Sequence, residues 1–190
     1  MVKVKIKKKK QVKKKFLVKF QAPDYLDNFE IGESNLSNLD TIDEKRIMLN
    51  LAFITKSPKH QNVRVYFKSS EVNNDLVKTE MVGYETVSYY LVRIIKKGSS
   101  LVDDSFKVKT KDNKIMNYKP IIVSKSHLSS EKKTLIRKFV KSYLEDYSKK
   151  SISEDIFKNV INGTLQNSLR NELKKYTSIK IVDFKKIILM

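Results

Sequence analysis

The chain has 190 residues and a formal net charge of +19, with 40 lysines and arginines against 21 acids, and 40% of it is apolar. That apolar share can bury one core at this length, and the charge points to a polyanion as partner. The chain has no cysteine, which excludes disulfides and thiolate metal sites. The longest apolar stretch without charge, residues 47–55, is too short to cross a bilayer, so no membrane partner is expected.

Residues 1–22 hold ten lysines and no acid, which leaves +9 on the remainder. Residues 1–15 read as a basic arm, kept from folding alone by self-repulsion, and residues 16–190 as a single α+β globular domain. No apolar core follows the first charges, so the N-terminus does not read as a secretory signal. Phe16 to Phe20 predicts the first strand, which Pro23 ends. Residues 24–43, rich in acids, Asn and Ser, predict a long surface connection. Ile47, Leu49, Leu51 and Phe53 alternate with a period of two and predict a second strand. Val63 to Phe67 and Leu76 to Val82 predict two more, joined by a turn at Asn73-Asn74-Asp75.

The period then changes. Val87, Tyr90, Leu91, Ile94 and Ile95 share one helical face, with Lys96 and Lys97 in the last turn and Gly98 as the stop. Leu101 to Thr110 and Ile115 to Val123 predict an antiparallel hairpin turning at Asp112-Asn113. Pro120 marks an edge strand or a bulge. Ser129 to Lys149 is the strongest helix, with Leu135, Ile136, Phe139, Val140, Tyr143, Leu144 and Tyr147 as its apolar stripe. Ser151 and Glu154 have capping-box spacing and open another helix, ending at Gly163. Thr164 caps a third, with Leu165, Leu169, Leu173 and Tyr176 on one face. Ile179 to Leu189 closes as a strand. Clustered antiparallel strands with segregated helices predict α+β, an antiparallel β-barrel-like sheet flanked by about four helices.

No catalytic constellation emerges, and no enzymatic activity or cofactor is expected. His127 and Glu131 have ligand spacing, but the helix-start signals place His127 before the first turn. Ser129-Ser130-Glu131-Lys132 matches a serine–lysine hydrolase spacing without its companion motifs and is better read as an N-cap. Asp103 and Asp104, adjacent in a strand, would face opposite sides. A nuclease built on His60 or His127 lacks a carboxylate cluster.

Nucleic-acid signals are stronger. Lysine outnumbers arginine 35 to 5, which favours gripping phosphates over reading base edges. The arm contributes Lys3, Lys5, Lys7, Lys8, Lys9, Lys10, Lys13, Lys14 and Lys15. In the hairpin, Lys107, Lys109 and Lys111 share one strand face while Phe106, Val108 and Thr110 share the other. Same-face residues lie about 6.8 Å apart, close to the roughly 6–7 Å between successive RNA phosphates. Lys132, Lys133, Arg137 and Lys138 form a helical basic face, and Lys96 and Lys97 end another helix. The hairpin run and the helical face each also fit a merely solvated face, whereas the arm, whose charges have no folding role, is the most specific signal. The tyrosines and phenylalanines sit at core-like spacings, and none is assigned to stacking.

An ordered set of short motifs resembles the archaeal and eukaryotic small-subunit ribosomal protein family S3Ae. Lys14-Lys15-Phe16 with Ala22-Pro23 matches its opening, followed by Ile31-Gly32-Glu33. Within Gly83 to Gly98, Tyr90-Leu91 and Lys96-Lys97 match a helix with a basic end. Ser100, Asp103, Val108, Thr110-Lys111-Asp112 and Lys119-Pro120 match the following hairpin. Ser130, Lys132-Lys133 and Ile136-Arg137-Lys138 match a helix start, and Gly163 and Val182-Asp183-Phe184-Lys185-Lys186 the last segment. Tyr84, Val87 and Tyr89 depart from the family's histidine, threonine and aspartate. The resemblance implies a barrel-like core with flanking helices on the platform of the small subunit, near the mRNA exit, in the cytoplasm. The implied partners are small-subunit rRNA, including the region near its 3′ end, neighbouring platform proteins and mRNA. The chain looks like the archaeal form. A free-standing RNA chaperone or translation regulator is the alternative.

Overall fold

Alternating apolar and charged side chains commit nine segments of the described residues to strands. The computed structural model describes residues 16–36, 45–73 and 76–190. There, nine strands join in one sheet: β1 Phe16–Gln21, β2 Glu30–Leu36, β3 Arg46–Asn50, β4 Val63–Asn73, β5 Leu76–Thr86, β6 Leu101–Asp103, β7 Phe106–Lys109, β8 Ile115–Ser124 and β9 Ile179–Leu189. Five helices accompany them: α1 Leu51–Thr55, α2 Ser88–Ile94, α3 Ser130–Lys150, α4 Ser153–Ile161 and α5 Thr164–Leu173.

The main path runs β2-β1-β5-β9-β8-β6. In addition β4 lies between β3 and β5, and β7 pairs with β8. Pairing is antiparallel except between β1 and β5. Among the described strands no pairing closes this path, so the architecture is an open α+β sheet. β5 meets β1 at Leu76–Lys78 and β9 at Gly83–Glu85. A bulge at Val82, where Phe67 faces Met81 and Tyr66 faces Gly83, resets its alternation. Val77, Thr79 and Met81 therefore point inward before the bulge, and Tyr84 and Thr86 after it.

The main core lies between the sheet and α3, α4 and α5. Val18, Phe20, Val65, Phe67, Tyr118 and Phe184 meet Ile136, Val140, Leu144, Phe157, Leu165 and Leu169 there. A smaller cluster of Leu91, Ile94, Ile121 and Val123 seats α2, so the end of β8 is buried on both sides.

Several expectations need correction. The presumed connection after Pro23 contains β2. Its acids lower strand propensity, but Glu30 and Glu33 are placed to bind Lys19 on β1, at 2.9 and 3.2 Å. The strand predicted through Phe53 stops at Asn50, whose side-chain oxygen accepts from the Ala52 N–H at 2.9 Å and starts α1. Leu51 and Ile54 are then buried and Phe53 is exposed. Leu101 to Thr110 is two strands, broken at Asp104 and Ser105. Opposite that break the β8–β9 register shifts between Lys119 and Pro120, with the extra residue, Lys185, on β9. β8 is an internal strand, so Pro120 marks a place opposite a bulge in its neighbour and not an edge. The predicted turn at residues 73–75 includes Asn74 and Asp75, outside the described residues.

Helix ends differ too. α2 ends at Ile94, and Gly98, with φ +85°, belongs to a separate turn closed by Ser99 N–H onto the Lys96 carbonyl. Lys96 and Lys97 thus lie in that turn, not in the helix. The Ser151–Glu154 capping box does not form. Asp112, from the β7–β8 turn, instead accepts from both the backbone N–H and the hydroxyl of Ser153, each at 2.9 Å. α5 starts from Gly163, at φ +72°, without a Thr164 cap. Leu135 and Tyr176, expected in the core, are each 64% exposed.

Candidate nucleic-acid interface

The β7–β8 hairpin displays its lysines on a fixed frame. Phe106, Val108 and Thr110 are buried, while Lys107, Lys109 and Lys111 are exposed. Phe106 packs on Tyr118 with ring centroids 6.2 Å apart, and the Tyr118 hydroxyl meets Ser148 of α3 at 2.9 Å. The tip is tied down as well. Thr110 N–H donates to the Lys114 carbonyl, and Asn113 takes the left-handed conformation at φ 61°. Lys111 N–H donates to the carbonyls of Ser148, in the last turn of α3, and Ser151, just after it. The Asp112 carboxyl is held below its usual range, first by the Ser153 backbone N–H. Lys111 therefore follows the strand's alternation although β7 itself ends at Lys109.

On α3, Ser129 caps the helix through the Lys132 N–H at 3.4 Å. Lys132, Arg137 and Lys138 are exposed and Lys133 is half-buried. Arg137 Nε donates to the Asp103 carbonyl at 3.3 Å, which bridges α3 to β6 without neutralising the charge. α3 packs on the side of the hairpin that holds Phe106 and Tyr118, so the two lysine groups form separate faces. Among the described residues none of Lys96, Lys97, Lys107, Lys109, Lys111, Lys132, Lys133, Arg137 and Lys138 forms an ion pair. Lys3 to Lys15 of the arm lie outside the described residues.

Other cations are spoken for. Lys19 is held above its usual range, first by Glu30 and then by Glu33. Lys186 reaches Glu85 at 3.1 Å and lies 5.6 Å from the Tyr66 ring centre. That ring rests on Gly83, where an added Cβ would come within 3.1 Å of it. The Tyr66 hydroxyl donates to Glu85 at 2.6 Å. Burial alone would raise the Glu85 carboxyl, but Tyr66 and Lys186 outweigh it and hold it low.

Of the candidate catalytic groups, His127 keeps its sequence reading and the Asp103–Asp104 pair does not. His127 is exposed and precedes α3, as expected. Asp104 falls in the loop after β6, and it shares a cleft of about 320 Å³ with Asp103, Lys119 and Lys185. Strand alternation therefore does not separate the two aspartates. His60 and Asp183, far apart in sequence, both line a cavity of about 290 Å³ beside Tyr84, Tyr90 and Gln166. Burial, then Lys59, lowers the His60 ring, which meets the Thr55 hydroxyl at 2.9 Å. Burial pushes the Asp183 carboxyl up to about 6. Among the described residues no three histidine or acidic side chains are grouped to hold a metal, and no helix is long and apolar enough to cross a membrane.

Sequence reasoning also missed a pair of adjoining clefts at the end of α5. One, of about 340 Å³, is lined by Leu135, Ile136, Phe139, Leu173 and Tyr176. The other, of about 570 Å³, is lined by Lys125, Arg170, Lys174 and Lys175 and shares Tyr176 and Thr177 with the first. Helical spacing assigned Tyr176 to the core, but α5 ends at Leu173, three residues before it.

The molecule is thus a basic α+β domain with cations left unneutralised on a braced hairpin and a long helix. Its sequence matches the Ribosomal S3Ae family over residues 3–190, and the chain belongs to that family. It is similar to "Small ribosomal subunit protein eS1" of Nanoarchaeum equitans, 28% identical over 69% of this chain and 66% of that protein. The protein of the same name from Methanoregula boonei is 35% identical over 54% of this chain and 51% of its own length. That of Halorubrum lacusprofundi is 26% identical over 62% and 54%. The matched stretch therefore spans half to two thirds of these relatives.

Proposed function

We propose that this chain is a structural, non-catalytic component of the small ribosomal subunit that binds rRNA. The observation that carries the reading is the set of cations on β7, the hairpin turn and α3 that no carboxylate of the described residues neutralises. Such charges repel one another until a polyanion covers them. Membership of the S3Ae family and the names of the archaeal relatives support the same assignment.

In finer detail, Lys107, Lys109 and Lys111 each meet one phosphate of a strand laid along the hairpin. Lys96, Lys97, Lys132, Lys133, Arg137 and Lys138 contact further backbone, and the arm of residues 1–15 enters rRNA beside a single domain of residues 16–190. Its place is the platform near the mRNA exit of the cytoplasmic subunit, beside the rRNA 3′ region, neighbouring platform proteins and mRNA. β5 exchanges β1 for β9 along one edge, and its pairing with β4 is bulged, which supports a sheet curled toward a barrel.

Sedimentation of the tagged chain through a high-salt gradient tests this reading. Co-migration with small subunits is expected. A chain that stays at the top of the gradient, yet binds RNA alone, would be a free-standing RNA chaperone or translation regulator.

A further inference from the structure

We infer that the junction of α3 with the end of α5 is a pocket for one unpaired nucleotide of single-stranded RNA. The base lies in the apolar cleft against Tyr176, and the phosphate sits on Lys125, Arg170 and Lys174. This deepens the RNA-binding reading and rests on it.

The apolar half, about 340 Å³ in volume, falls in the range of small-ligand sites. Tyr176 is 64% exposed, and its ring is braced by Phe139 at 5.1 Å with a 52° tilt. Leu135, equally exposed, forms another part of the wall. An apolar cleft with a held aromatic ring, uncovered by any of the described residues, favours a flat, stackable group.

The second half begins where the first ends, because Tyr176 and Thr177 line both. Of its four cations, Lys175 is committed to Glu172 at 2.7 Å. Lys174 donates to the neutral Asn171 side chain at 3.2 Å and keeps its charge uncompensated. Lys125 has no ion pair among the described residues. Arg170 Nε is buried and has no hydrogen-bond partner among them. A buried donor without an acceptor is costly, and a turn of the Arg170 side chain that brings its guanidinium onto a phosphate in the cleft would relieve that cost.

The negative end of the α5 dipole does not undo this. The Arg170, Glu172 and Leu173 carbonyls already accept from the N–H groups of residues 174–177. A stacking wall shared with an unneutralised cationic cleft is the combination by which single-stranded nucleic acid is held without sequence reading. An RNA duplex offers phosphates but no free base face.

The test uses the full chain and fluorescein-labelled hexauridylate, followed by anisotropy. Tyr176→Ala should weaken binding about tenfold, the scale of one lost base–aromatic stack, whereas Tyr176→Phe should bind as the natural chain does. Arg170→Gln should also weaken binding and lower the log–log salt slope by roughly 0.7, one single-strand phosphate contact. Affinity for a blunt RNA duplex should not change with Tyr176→Ala. Cross-links from 5-bromouridine hexamer to the natural chain should map to residues 170–177, which keeps the inference testable if a variant fails to fold.

Unchanged hexauridylate affinity in a folded Tyr176→Ala variant would overturn the pocket. So would cross-links only elsewhere, or displacement of the probe by an equal concentration of hexaglutamate, since the cleft would then read charge alone. Gradient co-migration is measured separately, so the pocket can fail while the ribosomal reading stands.

Discussion

The two ends of the sheet handle positive charge in opposite ways. At the β1–β2 end, Lys19 is gripped by Glu30 and Glu33 across the strand pair. At the β7–β8 end, Lys107, Lys109 and Lys111 stand on an equally regular frame with no carboxylate of the described residues paired to them, and only Lys114 beside the turn reaches an acid there, Glu80 at 3.7 Å. Both ends show strand alternation, so the difference is one of partners. Cations neutralised within a chain report on its folding, whereas cations left bare on a braced hairpin report on something outside it.

The sharpest way to break this comparison is to show that the hairpin's inner face does not hold its frame. Phe106→Ala removes a buried ring packed on Tyr118 and should cost roughly 3–5 kcal/mol, measured by urea unfolding. A loss below about 1 kcal/mol would mean that the hairpin carries its lysines loosely.

The outer face gives the complementary result. Changing Lys107, Lys109 and Lys111 together to glutamine should alter stability by no more than about 0.5 kcal/mol, as exposed substitutions usually do. It should nevertheless impair incorporation into small subunits. In RNA titrations across a salt series the log–log slope should fall by roughly 2–3 for three lost contacts. A variant that assembles normally with an unchanged slope would reduce these lysines to a solvated face.

An acid without a cation sharpens the contrast from the other side. Asp183 accepts from the Phe184 N–H at 2.8 Å, but among the described residues no ion pair balances its burial. Its carboxyl is raised to about 6 from an ordinary 3.8, so the folded chain favours the neutral form. Well below pH 3.8 both folded and unfolded forms are protonated and the group costs nothing. As pH climbs through 3.8 toward about 6 the unfolded form ionises first and stability is lost, and above that the loss is constant. Asp183→Asn should therefore stabilise by about 1–3 kcal/mol at pH 7 and be neutral near pH 3.5, in thermal melts at both values. His60, Lys59, Tyr84 and Tyr90 line the same cavity, and an equal effect at both values would mean that they compensate the carboxylate. The smallest effect is expected for Lys19→Gln, which should leave RNA affinity unchanged because that cation is already paired. A clear loss would erase the distinction between the two ends.

Much of this was legible in the residues. Short apolar runs bounded by turn residues located β1, β4, β5, β8 and β9, and an i, i+3, i+4 stripe located α3, while β6 and β7 were read as one strand. Lys107 and Lys109 were placed correctly because alternation in a strand is geometric and needs no knowledge of neighbours. β2 was not legible, since Glu30 and Glu33 make sense in a strand only when Lys19 is beside them. Nor was the cap of α4, because Asp112 lies 41 residues before Ser153.

The sequence by itself determined the α+β class, the family, the basic character and the inward and outward faces of the hairpin. All of these follow from composition, periodicity and the order of short motifs. Only the tertiary structure decided which cations are neutralised, that His60 and Asp183 share a cavity, and that Tyr176 and Arg170 border adjoining clefts. Those facts depend on distances between residues remote in the chain. Periodicity fixes which way a side chain points from its own element, but the group it meets there comes from another element, brought close only by folding.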